Sequence, residues 1–342
     1  MVREYLIFDP EGDVVLVFGD EIAIRPQMLV SSKHLSLASP VFKAMLQVGF
    51  QEGQQLSTKG TVTIPLPEDC DSAFKILMML VHAKYKHIPD QLILPTLTNL
   101  AVQVDKYQVH DCVGPLIIEG WVKKLENDHA SLTGPDESHL HNLAIYFDLK
   151  MCRTFEWIAI AWVFRIPHLF TMSTKFAILH LKHPVSTTSN NPCRFKKFLD
   201  KLPIPRQVFD KINSRREQHL NTLSEALREA RDHLEDPKNE CCQVPIDFIR
   251  HNCRMKKLQH FNMILKAHGL NPLPEPPYPE LSVKTMQPRL KPIFIDAFCG
   301  TSDHEAYFKD GKGRLGYFVS VARKLCDEEP GLGFQDIFED GA

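Results

Sequence analysis

Residues 29–46 read LVSSKHLSLASPVFKAML and contain two helix-start signals in quick succession. Ser31 or Ser32 can cap the first helix, because a serine hydroxyl accepts a free backbone N–H at a helix N-terminus. Ser39 followed by Pro40 marks the second start, with proline at the first helical position, where its missing N–H is not needed. Helices of about two turns are unstable alone. The stretch therefore predicts a short helical hairpin that packs on other elements.

The second helix of this hairpin is too short to bury more than one side. Its apolar residues recur at helical spacing, with Val41 and Met45 beside Phe42 and Leu46. We therefore expect Phe42 and Leu46 to be buried, and Lys43 to point to water.

Strand patterns lie on both sides of the hairpin. Asp13–Gly19 (DVVLVFG) is a short β-branched run that ends in glycine, and Ile22 and Ile24 alternate in the segment that follows. Thr61–Leu66 (TVTIPL) alternates again, with its apolar residues on one face. These segments predict a small sheet against which the hairpin packs.

Three longer helices are predicted after the last strand. Asp71 can cap the first of them, which runs to about Val81. The second covers about residues 97–107, and the third begins near Val113. Their apolar stripes contain Phe74, Leu77, Met78 and Val81, then Leu97, Leu100, Ala101, Val104 and Tyr107, then Leu116, Ile117, Trp121 and Leu125.

In this order and spacing the segments resemble a BTB/POZ domain, in the form found in a large group of fungal proteins. The resemblance is carried by Asp13 and residues 29–46, and by GFQEG, IPLPEDCDSAFKILMMLVH and LTNLAVQVDKYQV further along. A looser resemblance to the same group extends to HNCRMKKLQHFNMILKAHGLNPLPEPPYPELSV. It implies that the hairpin packs beside the sheet and takes part in dimerisation.

The sequence thus predicts an α+β fold, in which an N-terminal BTB/POZ domain of helices around a small sheet precedes a mainly α-helical extension. We place the BTB/POZ domain at residues 1–125 and a polar linker at 126–142. The helical extension covers residues 143–236, and a helical, proline-interrupted region covers 237–342.

Two segments define the extension. Residues 143–170 hold seven aromatic side chains, which we interpret as core rather than as a ligand-binding box. Pro203–Asp236 predicts a long helix whose apolar positions are interrupted between Ile212 and Leu220, where Arg215 and Arg216 lie. The interruption breaks a heptad pattern, so a helix packed on its own domain is favoured over a coiled coil.

Cysteine and histidine residues near position 250 do not fit a metal site. Cys241 and Cys242 are adjacent, and no C-x-x-C spacing accompanies them. His251 and Cys253 are two apart and face different directions on a helix, and His260 is more distant. We interpret the cysteines as buried structural residues and expect no metal and no cofactor.

No pattern typical of an enzyme is found. Gly311–Gly316 (GKGRLG) fits G-x-G-x-x-G, but no hydrophobic strand precedes it and no βαβ unit surrounds it, so a glycine loop is the better interpretation. No nucleophile elbow is present. The sequence therefore predicts a protein that is not an enzyme.

Charge and cysteine usage limit the compartment and the partners. A net charge of −2 and a pI near 6.8 give no electrostatic reason to expect direct binding of nucleic acid. No apolar run is long enough for a membrane helix. Nine cysteines at irregular spacing without a secretory signal fit reduced thiols. We expect an intracellular protein, cytoplasmic or nuclear.

The function that follows is non-covalent protein binding, with self-association through the BTB/POZ domain as a homodimer or hetero-oligomer and recruitment of other proteins. An alternative is a substrate adaptor of a cullin-type ubiquitin ligase. The resemblance implies a hydrophobic–x–acidic motif after the hairpin, and Phe50-Gln51-Glu52 stands there. Phe50 and Glu52 are therefore the candidate partner-binding residues. A further alternative is a transcriptional regulator without its own DNA-binding domain.

Overall fold

The computed structural model describes residues 5–19, 26–132, 143–185, 196–238, 246–290, 321 and 324–338. The chain divides into two compact units. Unit 1 contains the described residues up to 169 together with residues 196–204, and unit 2 contains residues 170–185 and the described residues from 205 onward.

Unit 1 begins with the sheet and the hairpin. Strands β1 (Tyr5–Ile7), β2 (Val14–Phe18) and β3 (Gln27–Val30) precede helices α1 (Ser32–Ala38), α2 (Pro40–Met45) and α3 (Gln51–Lys59). Strand β4 (Val62–Leu66) and helices α4 (Asp71–Val81), α5 (Leu94–Tyr107), α6 (Pro115–Leu132), α7 (Leu143–Val163) and α9 (Lys196–Leu199) complete it. Helix α8 (Pro167–His180) begins at the end of this unit.

The sheet has the order β1-β3-β2-β4. Strand β2 pairs antiparallel with β3 and parallel with β4, so that Leu16 lies opposite both Met28 and Ile64. Strand β1 pairs parallel with β3 at the edge. Val14, Leu16 and Phe18 are buried while the residues between them are half-buried, as the alternation in the sequence predicts.

Four aromatic rings form the centre of unit 1. Phe74 on α4 lies 5.2 Å from Phe18 on β2 and makes edge contacts with Phe42 and Tyr107. Helix α5 packs against α4 and α7, with its apolar stripe buried. Sheet, hairpin and longer helices therefore share one core.

The predicted burial is correct for two of the three residues named in the second helix of the hairpin. Phe42 is buried and Lys43 is exposed, as expected. The prediction for Leu46 was wrong, because α2 ends at Met45 and Leu46, the residue after it, is only half-buried. The second helix start is confirmed, since the Ser39 hydroxyl accepts the N–H of Phe42 and Pro40 is the first helical residue.

Two other helix starts differ from the prediction. Ser31 precedes α1, but its side chain makes no capping bond; the carboxylate of Asp13 instead accepts the backbone N–H of Ser32 at 2.7 Å and its hydroxyl at 2.6 Å. Asp71 is the first residue of α4 rather than its cap, which is Cys70. Asp13, the residue before β2, thus replaces the expected serine.

Three predicted segments lie wholly or partly outside the described residues. Ile22 and Ile24 lie outside them, and the strand that pairs with β2 is Gln27–Val30. Helix α6 continues to Leu132, into the segment predicted as a linker, while residues 133–142 lie outside the described part. The glycine loop at 311–316 is also outside it.

The aromatic block is partly in the protein interior. Phe155 and Phe170 are buried, and Trp157, Trp162 and Phe164 are half-buried. The core interpretation is therefore supported for Phe155 and Phe170.

Unit 2 is helical in its described part. It contains most of α8, then α10 (Arg206–Glu235), α11 (Asp247–Ala267), α12 (Val283–Leu290) and α13 (Gln335–Phe338). Helix α10 packs against α11, α12 and α13, and its apolar stripe is buried in the core of this unit. The prediction that the long helix packs on its own domain is confirmed. The small sheet and the many helices together fit the predicted α+β class.

Candidate functional site

Helix α2 of the hairpin is fixed to α5 by one hydroxyl and one ring. The Ser39 hydroxyl donates to the carbonyl of Tyr107 at 2.6 Å and accepts the N–H of Phe42 at 3.0 Å. The rings of Phe42 and Tyr107 stack with 4.6 Å between centroids. Because both bonds of Ser39 are buried, breaking them would leave a carbonyl and an N–H without partners.

Tyr107 is in turn held by the turn before α4. Its hydroxyl donates to the carboxylate of Asp69 at 2.7 Å, and Lys106 Nζ donates to the same carboxylate at 2.8 Å. Burial, and then the hydrogen bond to Asp69, raises the pKa of Tyr107, so the phenol stays protonated. Asp69 therefore completes a chain of contacts that gives the hairpin a fixed position.

The segment after the hairpin is the helix α3. Phe50 is the N-cap of α3, and its carbonyl accepts the N–H of Gln54 at 3.0 Å. Gly53 is buried in this helix, and a Cβ on it would lie 1.9 Å from the carbonyl oxygen of Gln47. Only glycine permits this approach, so Gly53 fixes α3 against the turn that follows α2.

Two apolar side chains are exposed to solvent next to this close approach. Phe50 is 52% exposed and Val48 is 66% exposed, while the N–H of Phe50 donates to the carbonyl of Gln47 at 3.0 Å. Glu52 is half-buried in the first turn of α3, where a carboxylate is favoured by the positive end of the helix dipole. The candidate residues Phe50 and Glu52 thus lie at one helix start, and Val48 adds a second apolar side chain.

Val48 was missed in the sequence. Val48 stands between Gln47 and Gly49, outside the helical spacing of the hairpin, and it lies in the turn between α2 and α3. A signal was present in the glycine at position 53, since a glycine inside a helical segment often marks close backbone approach.

The described residues hold no group of three or more side chains with the geometry of a metal site. Cys253 is buried on α11 and His251 is exposed on the same helix. Cys241 and Cys242 lie outside the described residues.

A buried carboxylate cluster in unit 2 was not foreseen. Glu329 accepts hydrogen bonds from Arg215 at 3.1 Å, from the N–H of Gly331 at 2.9 Å and from the Nε2 of His219. Burial alone would raise the pKa of Glu329, but the hydrogen bonds from His219 and Gly331 outweigh it and hold the pKa below its usual range. The carboxylate is almost fully enclosed, so we assign it to attaching residues 329–331 to α10 rather than to chemistry on a substrate.

A second buried charge is that of Arg216, the residue after Arg215 on α10. Arg216 is 1% exposed, and its hydrogen bonds within the described part of the chain all go to backbone carbonyls. Its acceptors are the oxygens of Leu181, Lys182, Pro277, Tyr278 and Leu281, at 2.8 to 3.3 Å. Burial lowers the pKa of Arg216 to about 10, so the guanidinium is still charged at neutral pH.

Comparison with protein-family models, with curated proteins and with solved structures finds no match for this chain. Among the helices in the described part of the chain, none is both long and apolar enough to span a membrane.

Proposed function

We propose that residues 5–132 form a BTB/POZ-type protein-interaction module that acts by non-covalent binding. Support comes from the order of the elements, with the α1–α2 hairpin between β3 and β4 and the long helices α4 to α6 after the sheet. The pairing of β2 with β3 and β4 and the fixed position of the hairpin support it as well.

The observation that carries the proposal is the exposure of Val48 and Phe50 on a backbone that cannot easily move. The contact between Gly53 and Gln47 fixes the helix start, so the backbone that carries both side chains loses little conformational freedom when a partner covers them. An aromatic side chain held in this way is typical of an interface anchor.

Self-association uses a different surface in this proposal. Leu37 on α1 is 89% exposed, and Tyr5 and Ile7 on the edge strand β1 are exposed as well. Exposed apolar side chains at a sheet edge and on a helix surface are suited to covering by a second copy.

Sedimentation of the full-length chain tests this self-association. We expect a dimer that Leu37→Asp converts to monomer, while Ile93→Asp, a change at another exposed position of unit 1, leaves it intact. If the wild-type chain stays monomeric at about 100 µM, its free energy of association is weaker than about −5 kcal/mol. That result would remove self-association from the proposal.

A second candidate, the cullin adaptor, is favoured by the placement of Phe50-Gln51-Glu52 at the start of α3. In that case Phe50 enters an apolar pocket of the cullin and Glu52 lies at the rim. Phe50→Ala should then weaken binding by ~2 kcal/mol, about thirtyfold in Kd, and Glu52→Ala should weaken it less.

The adaptor is tested by titrating the full-length chain with the N-terminal region of the host's own cullin. Tyr85→Ala removes another exposed aromatic side chain from unit 1 and serves as the matched control. If the wild-type chain does not bind, the adaptor is excluded and the general interaction module remains. If binding is unchanged by Phe50→Ala, the cullin contact lies elsewhere and the role of Phe50 is wrong.

A further inference from the structure

Helix α11 has a buried side and an exposed side, and both carry apolar residues. Cys253, Phe261 and Leu265 are buried. On the opposite side, Phe248 is 73% exposed, Met255 38% and Met263 58%. We call this second set the α11 stripe, defined as Phe248, Met255 and Met263.

The residues of the stripe lie on one side of the helix. They are seven and eight positions apart, close to two helical turns, so they lie on one side over ~22 Å. Asn252 and Gln259 are exposed between them. Three large, exposed apolar side chains on one side of a helix, with polar residues between them, are typical of a surface that another protein covers.

The exposed side of α11 is also positively charged. Lys256 and Lys266 are exposed beside the stripe, and His251 is exposed near its N-terminal end. The acidic residue of this helix, Asp247, is at its first position and pairs with Arg250. No carboxylate of α11 therefore balances the two lysines, and a partner with carboxylates at matching positions would be favoured electrostatically.

We propose that the α11 stripe binds an acidic amphipathic helix of a partner protein. The apolar residues of that helix pack on Phe248, Met255 and Met263, and its carboxylates pair with Lys256 and Lys266. The two methionines adapt their shape to the partner, because the side chain is unbranched and polarisable. This surface belongs to unit 2 and is independent of the proposed role of Phe50.

The test uses the full-length chain and a labelled synthetic peptide of about 20 residues, long enough to cover the stripe as a helix. The peptide carries leucines at heptad spacing and glutamates elsewhere. A second peptide has lysine for each glutamate, and a third has the acidic sequence scrambled. Fluorescence anisotropy should show the acidic peptide binding at least about tenfold more tightly than either of the other two.

Variants of the stripe locate the binding. Phe248→Ser, Met255→Ser and Met263→Ser together should abolish binding of the acidic peptide. Lys256→Glu with Lys266→Glu should reverse the preference toward the lysine peptide. Met172→Ser changes another exposed methionine of unit 2, on α8, and should have no effect. A reversal of charge preference with the apolar residues intact is not expected of nonspecific adhesion.

Five results would overturn the proposal. The first four are an absence of acidic-peptide binding at about 100 µM, equal binding of the scrambled peptide, equal binding by the triple serine variant, and a lower melting temperature of that variant in the absence of peptide. The fourth result would mean that another part of the chain covers the stripe. Loss of self-association in the triple variant would assign the stripe to a second copy and would likewise reject an acidic helix as its occupant.

Discussion

The imidazole of His82 connects the end of α4 to the start of α1. Its Nε2 accepts the backbone N–H of Ser31 at 3.1 Å, while its Nδ1 donates to the carbonyl of Met78 at 3.0 Å. One nitrogen must accept and the other must donate, so the ring has to be neutral. Protonation would put a second N–H against that of Ser31.

Acidification should therefore destabilise unit 1. The pKa of His82 lies below the ordinary value near 6.5, chiefly because the ring is buried, and the nearby His34 and Lys84 lower it further. The carbonyl of Met78 and the charge of Asp9 act in the opposite direction and are outweighed. Because the unfolded chain binds the proton more readily, the stabilisation is complete above about pH 6.5 and is lost as the pH falls toward the lowered native value.

Hydrogen exchange of the segment around Ser31 measures this effect locally. Protection of its amide should fall between pH 6.5 and 5.5, after correction for the intrinsic exchange rate. In His82→Gln an amide oxygen can accept the same N–H at either pH, so the corrected protection should be flat. The same pH dependence in both chains would mean that His82 is not the titrating group.

Gly53→Ala should destabilise unit 1 by about 1–3 kcal/mol, the usual cost of overpacking. The added methyl would meet the carbonyl oxygen of Gln47 at 1.9 Å, which α3 can avoid only by moving away from the turn. Gly49→Ala is the control, since a Cβ at Gly49 has no heavy atom within 4 Å. Urea unfolding followed by tryptophan fluorescence gives both values, and similar stability of the two variants would contradict the close approach.

Phe42→Ala should lower the free energy of unfolding by about 3–5 kcal/mol, because it removes a buried ring from the aromatic centre. Lys43→Ala, at the next position on the same helix, should change it by less than about 0.5 kcal/mol. The same unfolding measurement applies. A loss below about 1 kcal/mol for Phe42→Ala would show that α2 is placed in the wrong rotation.

Arg216→Met should destabilise unit 2 by about 3 kcal/mol or more, since several buried carbonyls lose their donor. Arg216→Lys should recover little, because an ammonium cannot reach acceptors spread around a planar guanidinium. Arg206→Ala, at an exposed i,i+4 pair with Asp210 on the same helix, should cost less than about 0.5 kcal/mol. Thermal melting compares the three, and equal melting temperatures for Arg216→Met and Arg206→Ala would refute the role of Arg216.

Periodicity and helix-start residues were sufficient to predict much of unit 1. The hairpin, the strands at residues 14–18 and 62–66 and the stripe of α5 carry repeating apolar positions, and the structure has them there. The sequence could not indicate β1, because three residues with an exposed pattern at a sheet edge have no alternation to detect. It also did not indicate α3, because this segment is polar and its helix start is placed by the close backbone contact between Gly53 and Gln47.

The candidate partner residues were predictable only as a motif. Phe50 and Glu52 could be named from their place after the hairpin, but the neighbouring Val48 and the helix start that presents them arise from the turn after α2. In α10 the apparent break between Ile212 and Leu220 is filled by Arg216, which lies at the i+4 position and is buried like its neighbours. A charged residue inside a charged segment looks solvated until its carbonyl acceptors, distant in sequence, are known.

The acceptors of Arg216 also set a minimum length for unit 2. They come from residues 181–182, before α10, and from residues 277–281, after α11. A chain that stops before Leu281 would keep the buried cation and lose part of what solvates it. Helix α10 therefore cannot be stably folded without the residues that follow α11. A premature stop anywhere between α10 and Leu281 should give a product that cellular proteases degrade.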